Sequence, residues 1–187
     1  MFGISDRPQS RLSVNQLESY WREIDSAPVG STFRTPLLWE MPSWTEICFE
    51  LNWEFCLPND GTFARKEYGY HGVYRLIALA SEGDLSRPMA LSRVAGRDDS
   101  GTLYMGEAGD LGTRLNQLRR SGWGNRNEDS HGAVRMLKQL RCLDFFPAKI
   151  GLALLFTETK DTRAIEGDLI RCYLNTFGDT PPLNYRL

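Results

Sequence analysis

Histidine is scarce in this chain, with 2 residues in 187, and cysteine is little commoner, with 4. Cys48, Cys56, Cys142 and Cys172 form no close pair such as CxxC, and His71 and His131 lie far apart, so the ligand spacing of a structural zinc site is missing. The start, MFGISDRPQSR, has no apolar run of the kind a secretion signal carries. Free thiols in a reducing cytoplasm are therefore expected rather than disulfides. No stretch approaches the roughly 20 apolar residues that a membrane span needs, so a membrane partner is not expected. Charge of one sign is also lacking: the net charge is only −2, which by itself argues for no polyanionic partner. Glycine patterns that cradle phosphates are missing too. Residues 103–115, LYMGEAGDLGTRL, contain GEAG, but neither G-x-x-x-x-G-K-[ST] nor the three glycines of a dinucleotide fingerprint. No G-x-S-x-G nucleophile elbow occurs anywhere.

What is present is an ordinary globular composition, 41% hydrophobic, in a length that suits one domain with an added subdomain. The charge is unevenly distributed. Residues 1–60 hold four basic and nine acidic residues, and residues 61–187 hold 18 basic and 15 acidic. Arg114, Arg119, Arg120, Arg126, Arg135, Lys138 and Arg141 crowd residues 110–141, opposed there by Asp110, Glu128 and Asp129. Such a stripe suits a phosphate backbone; taken alone, it equally describes a solvated helix face.

Hydrophobic periodicity divides the chain. Val14, Leu17, Trp21 and Ile24 predict a helix from about Ser13 to Ile24, with Ser13 and Gln16 as a capping box. EICFELNWEF (46–55) alternates apolar and polar residues and predicts a strand with one buried face. GVYRLIALA (72–80) is nearly all apolar and suits a central strand. Residues 81–101 are polar and turn-rich, and read as a loop or loose insertion. TLYMGEA predicts a second strand, with Asp110 capping a helix that runs to about Arg120 on a stripe of Leu111, Leu115 and Leu118. Arg114 falls at the edge of that stripe, where it must find an anion or snorkel outward. A loop at 121–130, a helix over His131–Leu140, a third strand in AKIGLALLF opened by Pro147, and a helix over 162–177 capped by Gly178 complete the order. The expected class is α+β: a small, three-stranded, mainly antiparallel sheet flanked by helices. Residues 1–65 form an N-terminal extension, and residues 66–187 the main domain.

One constellation is more specific. Gly72-Val73-Tyr74, then Tyr104-Met105-Gly106, then Arg114 ten residues after Tyr104, resembles the GIY-YIG nuclease family. Val73 and Met105 replace the usual isoleucines at core positions. EAGDLGTRL looks like the family's small-residue turn, Asp-Leu pair and Arg-Leu ending. Glu166 in AIEGDLI and Asn184 in PLN follow in the family's order. The resemblance covers about residues 70–186, and residues 1–65 carry no match. Two features depart from the pattern: the interval between the triplets is long, and Leu118 stands where many members carry a histidine. Either His131 supplies that group from a neighbouring helix or the role is absent.

The resemblance implies DNA as substrate and a divalent metal, Mg²⁺ or Mn²⁺, held by Glu166, since Mg²⁺ prefers oxygen ligands and keeps several waters. It implies Tyr74 as general base towards the attacking water and Tyr104 as an orienting group. Arg114 would offset charge on the phosphate, and Asn184 would hold the site together by hydrogen bonds. Arg119, Arg120, Arg126, Arg135 and Lys138 are the candidate DNA contacts. Arg87, Arg93, Arg97 and Asn125, with Arg126, lie in the loops where base recognition would be sought. A free-standing cytoplasmic endonuclease of restriction or defence type is the leading expectation, with the N-terminal region building a homodimer or a DNA clamp. A binding module that has lost the chemistry, and an antibacterial nuclease toxin, are the alternatives.

Overall fold

The structure, a computed structural model, describes residues 43–58, 69–123, 131–139, 148–157 and 161–184. The expected helix over Ser13–Ile24, residues 124–130 of the expected loop 121–130, Leu140 and Pro147 lie outside the described residues, and residues 121–123 of that loop are helical instead. Among the described residues, no helix is long and apolar enough to cross a membrane.

Residues 46–55 do not form the expected single strand. Helix α1 runs Trp44–Glu50, and only Glu54–Cys56 are extended as strand β1. The helix wins because Ser43 and Glu46 make a capping box: the Glu46 carboxylate accepts the Ser43 N–H at 2.8 Å, and the Ser43 hydroxyl accepts the Glu46 N–H at 3.3 Å. Another orphan donor of the first turn, the Trp44 N–H, reaches the Thr176 hydroxyl at 2.6 Å. The apolar spacing also fits a helix once Trp44 is counted. Trp44, Ile47 and Leu51 are buried, whereas Phe49 and Phe55 are 59% and 46% exposed. Alternation had put those two phenylalanines on the same buried face.

Strands β2 (His71–Ala78), β5 (Thr102–Ala108) and β6 (Ile150–Thr157) form the expected antiparallel core. β1 adds to it, pairing with β6, so the sheet has four strands in the order β1-β6-β2-β5 rather than three. β2 is buried on both faces, which explains its unbroken apolar run. Val73 and Ile77 face a core shared with α1 and with helix α4 (Thr162–Phe177). Tyr74, Leu76 and Ala78 face a second core shared with helices α2 (Leu111–Trp123) and α3 (Gly132–Gln139). Residues 43–58 thus share a sheet and a core with residues 69–184.

The stretch 81–101 is no loose insertion. It carries a hairpin of β3 (Leu91–Arg93) and β4 (Gly96–Asp98), fastened to the end of α4 by the Ala95 N–H on the Phe177 carbonyl at 2.8 Å. Buried Asp98 accepts hydrogen bonds from Ser100, from the Thr102 N–H and from the Tyr173 hydroxyl. α4 occupies the expected span, capped by Asp161 at its start and by Gly178 in the left-handed region at its end, φ 76°.

Candidate active site

The antiparallel register sets the site's floor. Tyr74 on β2 pairs with Gly106 on β5, and Leu76 pairs with Tyr104. The two tyrosines therefore lie diagonally on one face, with ring centroids 5.9 Å apart. The motif glycines have steric reasons. A Cβ on Gly106 would sit 2.6 Å from the Tyr74 hydroxyl, and one on Gly72 would collide with the Leu155 carbonyl oxygen and the Leu111 side chain. Gly106 makes room for the phenol, and Gly72 lets α2 start tight against the sheet.

His131, at the entrance to α3, closes over both rings. Its centroid is 5.9 Å from that of Tyr74 and 5.7 Å from that of Tyr104, and its Nε2 is 2.8 Å from the Tyr74 hydroxyl. It is 2% exposed, and Nδ1 has no partner among the described residues. Burial, and then the nearby Arg114 charge, lower its pKa to about 4, so the imidazole is neutral at neutral pH. Burial, and then the Tyr104 side chain, push the Tyr74 phenol well above its ordinary value, with Arg114 partly opposing. Leu118, where the family pattern has a histidine, is fully buried in the core under α2. His131 approaches the tyrosines from the residue before α3.

Arg114 is half-buried on α2 and makes no ion pair among the described residues. Among the described residues it donates one long hydrogen bond, to Gln117 at 3.3 Å. A guanidinium has five donors in a fixed fork, so most of its capacity is open. Its charge acts on Tyr74, His131 and Glu166 together.

Glu166 stands on the second turn of α4, half-buried. Burial, and then the like charge of Glu107, raise its pKa to about 7, with Arg114 and Arg163 opposing. Glu107, on β5, accepts a hydrogen bond from the Thr162 hydroxyl at 2.6 Å. Sequence reasoning passed over Glu107 although it lies inside the motif; a glutamate near a strand end reads as solvent-facing. Among the described residues, no three His, Cys, Asp or Glu side chains gather into a metal cluster. The Glu166 carboxylate, with no cation ion-paired to it among the described residues, nevertheless suits a hard divalent ion that takes one carboxylate and keeps its waters.

Asn184 is built into the scaffold. Its side-chain amide donates to the Met105 carbonyl and accepts the Met105 N–H, both at 2.8 Å, so it substitutes for a neighbouring strand along the outer edge of β5. That clamp lies between Tyr104 and Gly106. Among the basic residues, Arg120, Arg135 and Lys138 are exposed and Arg119 is half-exposed, on α2 and α3; Arg126 and Asn125 lie outside the described residues. Arg87 is exposed. Arg97 pairs with Asp99 at 2.6 Å on the surface. Arg93 is a structural clamp: it bonds Asp179 at 2.6 Å and lies 5.7 Å from the Tyr173 ring, so it is not available for base recognition. Comparison with protein-family models, with curated proteins and with solved structures finds no match.

Proposed function

We propose that the chain is a divalent-metal-dependent endonuclease that hydrolyses DNA phosphodiester bonds. The observation that carries this reading is the convergence of Tyr74, Tyr104 and His131 beside an arginine that makes no ion pair among the described residues and a half-buried glutamate. A bound Mg²⁺ or Mn²⁺ would polarise the phosphate and stabilise the leaving 3′ oxygen. Glu166 would carry that ion. Arg114 would present its fork to two phosphate oxygens and offset the charge that builds on them.

Proton handling falls to Tyr74 and His131 jointly. A buried phenol whose pKa is raised cannot wait as a phenolate at neutral pH. The 2.8 Å contact offers a concerted route: the Tyr74 oxygen takes a proton from the attacking water while its own proton passes to His131 Nε2. The water oxygen bonds to phosphorus, the P–O3′ bond breaks, the departing 3′ oxygen takes a proton from solvent to leave as the hydroxyl, and the imidazolium later returns its own proton to solvent. Negative charge growing on the phosphate offsets the cost of charging a buried imidazole beside Arg114. Tyr104, tilted against the Tyr74 ring and edge-on to His131, would orient the water or the phosphate. The exposed Arg120, Arg135 and Lys138, with Arg119, would track the DNA backbone. Restriction or defence use, and a homodimer that cuts two strands, are the finer form of this reading.

A second reading has its own support. Burial drives Tyr74 and His131 towards neutral, core-like states, which also suits a DNA-binding module without chemistry. Plasmid nicking with Mg²⁺ or Mn²⁺ separates the two. Cleavage by the wild type but not by Glu166→Ala supports the nuclease; DNA binding without cleavage on varied substrates supports the module.

A further inference from the structure

The α4 side of β5 carries a contact that the proposed chemistry does not use. Alternation along β5 turns Met105 and Glu107 towards α4 and away from the tyrosines. There the Glu107 carboxylate accepts the Thr162 hydroxyl at 2.6 Å. Thr162 is the first residue of α4 and is 3% exposed. Glu166 follows it by four residues, so the two side chains share one face of the helix, about 6 Å apart at Cβ. A strand residue thus holds the helix turn from which Glu166 projects. A first turn depends on its cap and on tertiary contacts to stay in register.

Resting on the nuclease reading, we propose that Glu107 is a positioning residue: through Thr162 it fastens the first turn of α4 to β5, and so fixes the Glu166 carboxylate for the divalent cation. The strand that carries Tyr104 then also locates the cation-bearing carboxylate. One residue in the motif serves both faces of the sheet, because Tyr104 and Glu107 are three positions apart on a strand of period two. Partners that orient a metal ligand without touching the ion are worth about tenfold or more in metal affinity.

The test is direct titration of Mn²⁺ into the wild type and the variants Glu107→Ala, Glu107→Gln, Thr162→Val and the Glu107→Ala/Thr162→Val pair, with melting temperatures to confirm folding and plasmid nicking as a second readout. Glu107→Ala and Thr162→Val are each expected to weaken Mn²⁺ binding about tenfold. The double variant should be no worse than either single, since both remove one contact. Glu107→Gln should bind within about twofold of wild type, because its amide oxygen still accepts the Thr162 hydroxyl. Loss of affinity in Glu107→Gln as deep as in Glu107→Ala, with Thr162→Val like wild type, overturns the proposal in favour of a direct effect of charge. Variants that all bind as wild type, in a protein that does nick DNA, overturn it as well. Wild-type Mn²⁺ binding that obeys the expected order without any nicking sustains the positioning role and removes the nuclease reading instead.

Discussion

Tyr74, Gly106 and His131 are mutually dependent. The glycine leaves the space that the phenol fills, and the phenol holds the imidazole. Gly106→Ala should displace the Tyr74 ring, destabilise the protein by about 1–3 kcal/mol as overpacking does, and lower nicking more than stability alone explains; urea unfolding and nicking on one preparation check both. His131 has a pH signature. Its pKa is about 4 in the fold against 6.5 unperturbed, so the unfolded chain binds the proton first as pH falls. The stability it contributes is present above pH 6.5 and is lost as pH drops towards 4, on the order of 3 kcal/mol in total. His131→Gln should flatten that part of the curve in urea unfolding at pH 7, 5.5 and 4.5, and should lower nicking about a hundredfold. Tyr74, Tyr104 and Arg114 could be singled out from the sequence because they sit in two short triplets and at a fixed offset. Pairing of His131 with Tyr74 joins residues 57 apart in the chain, and only packing of α3 against the sheet creates it. The Glu107–Thr162 contact also joins distant residues, 55 apart, and neither residue stands out by type.

Helices and strands were legible to different degrees for local reasons. TLYMGEA and the span 162–177 form the elements that their periodicity predicts. EICFELNWEF misleads because apolar residues at 47, 49, 51, 53 and 55 satisfy a period of two, while the deciding signal, Ser43-x-x-Glu46 with Trp44 between, lies just upstream. Ser43→Ala should cost about 1 kcal/mol through loss of the cap, a fall of roughly 2–4 °C in melting temperature by calorimetry. A strand starting at residue 46 would show no such loss. The fourth strand of the sheet was hidden for a related reason: β1 is three residues long, and its pairing with β6 is a long-range event that no local pattern encodes. The hairpin in 81–101 owes its order to Asp98 and Arg93, polar residues whose partners are on or just beyond α4.

Across the molecule, the sheet lies between two cores, with Tyr74 on the α2 and α3 side and the Glu107–Thr162 contact on the α4 side, and both reach β5 at the sheet's edge. Arg114 spans them electrostatically. Glu166, with a pKa of about 7 set by burial, Glu107, Arg114 and Arg163, should bind a cation poorly when protonated. Mn²⁺ affinity is therefore expected to rise as pH increases from 6 to 8 and to level off above, measured by titration calorimetry. The most direct measurement is nicking of supercoiled plasmid in Mg²⁺ or Mn²⁺ by wild type, Glu166→Ala and Arg114→Ala, each verified as folded. Nicking by wild type that falls by a hundredfold or more in both variants is the predicted result; equal nicking by all three, or DNA binding by wild type without any nicking, contradicts the assignment of this site to phosphodiester hydrolysis.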